Sequence, residues 1–188
     1  SLSSFQRETR FVLKRSKEED FMKMICEKYN LKDSTNKHVF SIDPHGSKDI
    51  DDAFSIEKQE NGSYKICIYI ANVFLMIDYF SLWKFLTKRV STIYLPENKV
   101  NMLPDLLSDD LCSLVQGKKR TSFVMEFICD NTIHSIQYYH AIINISCNYV
   151  YDSNDLLCDK SYQELLHVTK QLDSNIFDSH DVVSYWMK

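Results

Sequence analysis

Only six of the 188 residues are glycine or proline, and all six (Pro44, Gly46, Gly62, Pro96, Pro104 and Gly117) fall between positions 44 and 117. A chain this poor in turn formers is no collagen-like repeat, flexible linker or low-complexity tract. Its special backbone geometry is confined to one stretch, and the chemistry is sought there. The rest must fold from ordinary helices and strands, for which 44 % apolar and 13 % aromatic residues are ample. The length favours one domain with a real core.

No apolar run reaches the roughly 20 residues of a membrane helix. The longest, 66–77, is broken by Tyr69 and Asn72 and reads as a buried strand. The N-terminus lacks the basic-then-apolar design of a signal peptide. It also lacks an initiator Met, which suggests a processed chain or a piece of something longer. The six cysteines are scattered without a Cys-x-x-Cys pair, the pattern of reduced thiols in an intracellular protein. No membrane partner is expected. The formal net charge is −4, divided as +3 over residues 1–37 and −7 over the remainder. That balance is no electrostatic footprint for nucleic acid. A chain like this that works on a polyanion needs a local groove, a bound metal or another segment to supply positive charge.

Residues 1–37 read as a helical lead-in. Within it, Phe21, Met24, Ile25 and Tyr29 recur at helical spacing over 17–29, and a polar loop spans Asp33–Lys37. Strands are predicted at His38–Ile42, Ala53–Glu57 and Tyr64–Val73, with Asn61-Gly62 as a hairpin turn. A short helix over 81–89 and a strand over Ser91–Leu95 come next. A helical turn within Asp105–Leu114 precedes paired strands Ser122–Cys129 and Ile133–Ile145 across an Asp130-Asn131 turn. Helices near 160–172 and 180–187 end the chain. The layout is α+β: a mostly antiparallel sheet over 38–188 with helices gathered at one side.

The stretch Ser41-Ile42-Asp43-Pro44-His45-Gly46-Ser47-Lys48-Asp49-Ile50-Asp51-Asp52-Ala53-Phe54 places four carboxylates within ten residues, between two apolar strand-like flanks. Pro44 and Gly46 permit a sharp turn that gathers the acids at the sheet end. Carboxylates crowded together repel unless a cation sits among them. Hard oxygen donors suit Mg²⁺ or Mn²⁺, and two such ions about 4 Å apart activate a water against a phosphodiester. A solvated acidic turn is the plain alternative, and a bare Asp-x-Asp-Asp would favour it. The spacing does not fit a calcium loop, and the flanking strands favour a metal.

These residues carry a family resemblance. Ser-Ile-Asp-Pro-x-Gly-x-x-Asp-Ile-Asp-Asp-Ala resembles the signature of the RNB catalytic domain of ribonuclease II and of the exosome's catalytic exoribonuclease. Four further segments follow in the family's order: Ile68–Val73, Arg89–Pro96, Met102-Leu103-Pro104 and Leu107–Leu114, with Arg120 where the family has an Arg. The resemblance covers about 38–128. It implies hydrolytic 3′-to-5′ degradation of single-stranded RNA to nucleoside monophosphates. It implies Mg²⁺, with Mn²⁺ as a substitute, at Asp43, Asp49, Asp51 and Asp52. Asp43 and Asp52 are then foremost as direct ligands, Asp51 is the acid most critical for chemistry, and Asp49 joins it as catalytic. Tyr94 and Arg120 are carried over as substrate-binding, Tyr94 by stacking near the scissile bond. Without the family, Tyr94 would be read as a packed strand aromatic. The Leu107–Leu114 segment is expected to shape a channel wall, and Cys112 has no His partner to make it a nucleophile.

The sequence departs from the family in three ways. Tyr69 and Asn72 replace its His and Asp; residues 150–180 are abbreviated; and the later segment that supplies a catalytic Arg is absent. The chain is therefore expected to be the first part of a catalytic domain, with a second segment or chain needed for full activity. The alternatives are a catalytically deficient RNA- or protein-binding module and a Mg²⁺-dependent phosphodiesterase of another specificity.

Overall fold

The Asn61-Gly62 signal makes a hairpin. Gly62 takes φ +85°, in the left-handed region that a side chain would strain. The Ser63 amide and hydroxyl donate to Asn61 Oδ1 at 3.1 and 2.7 Å. This turn joins β2 (Asp52–Lys58) to β3 (Tyr64–Ala71) in antiparallel register from Asp52–Ile70 to Lys58–Tyr64. The computed structural model describes residues 2–14, 18–86, 92–94, 99–130 and 132–176. Within it β1 is Lys32–Asp43, β4 Ile93–Tyr94, β5 Lys99–Val100, β6 Lys119–Cys129 and β7 Ile133–Val150.

β6 pairs antiparallel with both β3 and β7, and β1 with β2. A parallel β1–β7 seam then closes five strands into a barrel. The predicted antiparallel pairings are present, and closure is the addition. The Asp33–Lys37 run belongs to β1 instead of a loop. Lys32, Asp33 and Ser34 pair with Ala141, Ile142 and Ile143, so the backbone is satisfied whatever the side chains. The register then breaks between Ser34 and Phe40.

Val39, Ala53, Cys67, Tyr69, Val124, Ala141 and Ile143 fill one core cluster, joined by Ile50 and Leu114 from loops. Toward one end Glu126 is enclosed by Lys37 Nζ at 3.4 Å, Lys32 Nζ at 3.7 Å and the Tyr139 hydroxyl at 2.7 Å. The helices form two groups. α1 (Leu2–Leu13), α2 (Glu18–Tyr29) and α3 (Val73–Tyr79) share a core of Phe5, Phe21, Ile25, Leu75 and Met76 with a π-helical turn at Leu106–Leu111. α4 (Asn154–Cys158) leads into α5 (Lys160–Ile176), which lays Leu165, Val168 and Leu172 over Ile66 and Phe127.

The strand expected to reach Val73 stops at Ala71, because the Asn72 side chain caps α3 by accepting from the Leu75 amide. On α2, Met22 takes the inward position expected of Met24, which is 54 % exposed. The helix expected over 81–89 is a three-residue 3₁₀ turn at Trp83–Phe85 among the described residues. Residues 87–89 and the helix predicted at 180–187 lie outside them. All six cysteines are free, and no described helix is long and apolar enough to cross a membrane.

Candidate active site

The acid-bearing loop connects β1 to β2 and is fixed at both ends. Asp43, the last residue of β1, accepts from the Ser41 hydroxyl at 2.6 Å. Ser41 is itself held by Asn148 Nδ2 at 2.9 Å, and the Tyr151 amide donates to the Asp43 carbonyl. Pro44–Ser47 forms a tight turn closed by the Ser47 amide on the Pro44 carbonyl, with Gly46 at φ +82°. Beyond the turn, Ile50 drops into the barrel core at 6 % exposure. The Leu114 amide donates to the Ile50 carbonyl and the Ala71 amide to the Asp51 carbonyl. An apolar anchor between acids at 49 and 51–52 therefore holds the carboxylates at the barrel end.

Burial pushes the Asp52 carboxyl above the usual range, and the charges of Asp43 and Asp51 push it further, although the residue keeps a face open to solvent. Burial also raises Asp43; the Ser41 hydroxyl opposes that and Asp49 adds to it. The Tyr151 phenol is raised by burial, and the charges of Asp43 and Asp52 add to that. The acids act on one another in pairs, Asp49 on Asp43 and both Asp43 and Asp51 on Asp52. Among the described residues, no three His, Cys, Asp or Glu side chains converge as a metal-binding group. Paired hard-oxygen donors whose charge is disfavoured still fit Mg²⁺, which is held through one or two carboxylates while keeping several waters.

The other predicted residues fall differently. Tyr94, described in its backbone, lies opposite Lys99 in the small β4–β5 ribbon outside the barrel. Arg120 does not face an open surface: it is 2 % exposed. Its Nε donates to the Ser113 carbonyl at 2.9 Å, Nη2 to the Asp110 carbonyl at 3.1 Å, and Nη1 to Glu18 at 2.6 Å. Burial drives the Cys112 thiol up to about 12 despite nearby Arg120, so it supplies no thiolate near neutral pH. Tyr69 is buried against the Ser55 hydroxyl at 2.8 Å. Asn72, besides capping α3, has its amide nitrogen 2.7 Å from His140 Nδ1.

Ser113, Asn148 and Tyr151 escaped the sequence reading. Ser113 lies in a segment read as channel wall, and the other two sit beyond the motifs. Their proximity to the acids depends on the β1–β7 seam and the 107–114 turn, which local patterning does not reveal.

The chain matches the RNB domain family model over residues 31–178. Ribonuclease R of Thermotoga maritima is 32 % identical over 156 residues, 81 % of this chain and 22 % of that protein. The solved structure of Mycoplasma genitalium RNase R in complex with ribose methylated single-stranded RNA is 28 % identical with a TM-score of 0.59, covering 77 % of this chain and 24 % of that one. Yeast Ssd1, a pseudonuclease, reaches a TM-score of 0.65 at 19 % identity, over 77 % of this chain and 19 % of that one; this likeness is one of fold alone. The chain spans about a fifth of the length of these relatives.

Proposed function

Because the chain belongs to the RNB domain family, we propose that it carries the acid portion of a hydrolytic exoribonuclease site, which shortens single-stranded RNA from its 3′ end and releases nucleoside monophosphates. The observation that supports this most is the Asp43–Asp52 pair, two carboxyls raised by burial and neighbouring acids at the mouth of one anchored loop. Asp43 and Asp52 would hold Mg²⁺, with Mn²⁺ as a substitute, and the ion would supply an acidified water and charge neutralisation for the phosphodiester. Asp49 and Asp51 act alongside them, Asp51 with an exposed side chain on a backbone fixed by Ala71. Tyr94 stacks on the terminal base, a contact open to every base because each has a π-face. Arg120 serves this site from inside, as a brace. Cationic contacts to the developing phosphate charge are assigned to a completing segment or chain.

The test is release of monophosphates from a labelled single-stranded oligoribonucleotide, by the chain alone and after joining it to the remaining part of a ribonuclease R. Asp51→Asn is expected to lower the rate about 100-fold or more, and EDTA to stop it. Activity indifferent to both would overturn the reading. A second reading, a non-catalytic RNA- or protein-binding module, draws on the absence of a converged three-ligand group among the described residues. It predicts retention of RNA without turnover even in the completed protein.

A further inference from the structure

The backbone around Asp49 is gripped by one buried hydroxyl. Ser113, fully buried, donates from Oγ to the Lys48 carbonyl at 2.7 Å and accepts from the Ile50 amide at 3.0 Å. These two groups bracket Asp49, so one hydroxyl closes the loop over that residue. The neighbouring Leu114 amide takes the Ile50 carbonyl at 2.9 Å, which fixes the peptide leading to Asp51.

Ser113 is itself held from behind. Its carbonyl accepts from Arg120 Nε, and the same guanidinium reaches the Asp110 carbonyl and, on α2, the Glu18 carboxylate. A continuous set of bonds therefore runs from α2 through Arg120 and Ser113 into the acid loop. No barrel ladder bond supplies an equivalent restraint at Lys48–Ile50, which lies outside any strand. Four carboxylates that repel one another would otherwise drive this loop outward.

We propose that Ser113 is a positioning residue for the acid loop, held in place by Arg120, and that its hydroxyl sets the loop geometry on which cation capture by the Asp43–Asp52 pair depends. The proposal deepens the metal-site reading above and rests on it for its consequence, but its structural core is independent of any ion. Partners that orient ligands from behind typically contribute 10- to 100-fold to metal affinity.

The experiment compares the 188-residue chain with Ser113→Ala and with Ser55→Ala, which removes a buried hydroxyl bonded to Tyr69 in the barrel instead of to the loop. Amide hydrogen exchange without metal comes first. Ser113→Ala is expected to speed exchange at Asp49–Asp52 by about tenfold or more while β3 and β6 keep their protection; Ser55→Ala is expected to leave the loop unchanged. Loop exchange unaltered by Ser113→Ala, or accelerated equally by Ser55→Ala, overturns the proposal whether or not the chain binds metal. Mn²⁺ titration then separates the two readings. A wild type that binds no Mn²⁺ contradicts the metal site and with it the proposed consequence for cation capture. A wild type that binds it, with affinity lowered about 10- to 100-fold by Ser113→Ala alone, supports both. Equal Mn²⁺ affinity in wild type and Ser113→Ala refutes the role of Ser113 in cation capture.

Discussion

Asp43 and Asp52 stand at opposite ends of one loop, and in the folded protein each has its charge opposed by burial and by a neighbouring acid. Folding brings these carboxylates together at a cost to stability, as sites shaped for a ligand commonly do. For Asp52 the sign follows from its raised folded-state pKa. At neutral pH the ionised carboxylate favours the unfolded chain, and the penalty vanishes as pH falls below the unfolded-state value. Asp52→Asn is therefore expected to raise the thermal midpoint of the metal-free protein at neutral pH. The gain should shrink on acidification, and the variant should respond less to Mg²⁺ than the wild type does. Differential scanning calorimetry with and without Mg²⁺ checks this; a metal-free midpoint lowered by Asp52→Asn would contradict it.

At the scale of elements, the 107–114 segment is the unit that matters. Its π-helical turn buries Leu107 and Leu111 against the α1–α3 cluster while its last residues hold the acid loop. Arg120 links the two faces. Its planar fork serves three carbonyls, of Ser113, Asp110 and Lys119, and a carboxylate at once, which a lysine ammonium on a flexible stem cannot reproduce. Arg120→Met strands the Ser113 and Asp110 carbonyls in a buried site and is expected to cost about 3 kcal/mol. Arg120→Lys should recover only a minor part of it. Urea unfolding of the three proteins gives the comparison, and an Arg120→Met cost below about 1 kcal/mol would show that the guanidinium is no brace.

At the scale of the molecule, barrel closure brings the site together, and Glu126 helps to fasten it. Lys32 and Lys37 of β1, Cys67 of β3 and Tyr139 of β7 all meet this carboxylate on β6. Burial works against its charge, but the Tyr139 hydroxyl and the lysines outweigh that and hold its pKa below the ordinary range. The stability it provides is thus full above the unfolded-state value and lost as pH falls through the folded one. Glu126→Gln is expected to destabilise the protein by about 1–3 kcal/mol at neutral pH and to flatten the loss of stability that the wild type shows below about pH 5. Denaturant titrations at several pH values test both parts.

What the sequence revealed and what it hid divide along the same physical line. The Asn61-Gly62 hairpin, the β6–β7 pair, α5 and the acid loop announce themselves locally, through turn residues and periodicity. The parallel β1–β7 seam joins strands about a hundred residues apart with no signal in either, so the polar Asp33–Lys37 run looked like a loop. α3 hid inside an apolar stretch that periodicity alone cannot divide into strand and helix; the divider is Asn72, read as a family departure and found as a cap. The acids were legible because like charges between apolar flanks are conspicuous. Arg120 was legible as a residue but not in direction, since nothing local shows that its partners include carbonyls seven and ten residues back.

Calorimetric titration of Mn²⁺ into the wild-type chain, Asp43→Asn and Asp52→Asn decides whether these acids form a divalent-cation site. Saturable binding by the wild type is expected, with affinity lowered about tenfold or more in each variant. Absence of binding by the wild type, or binding unchanged by both substitutions, would contradict it.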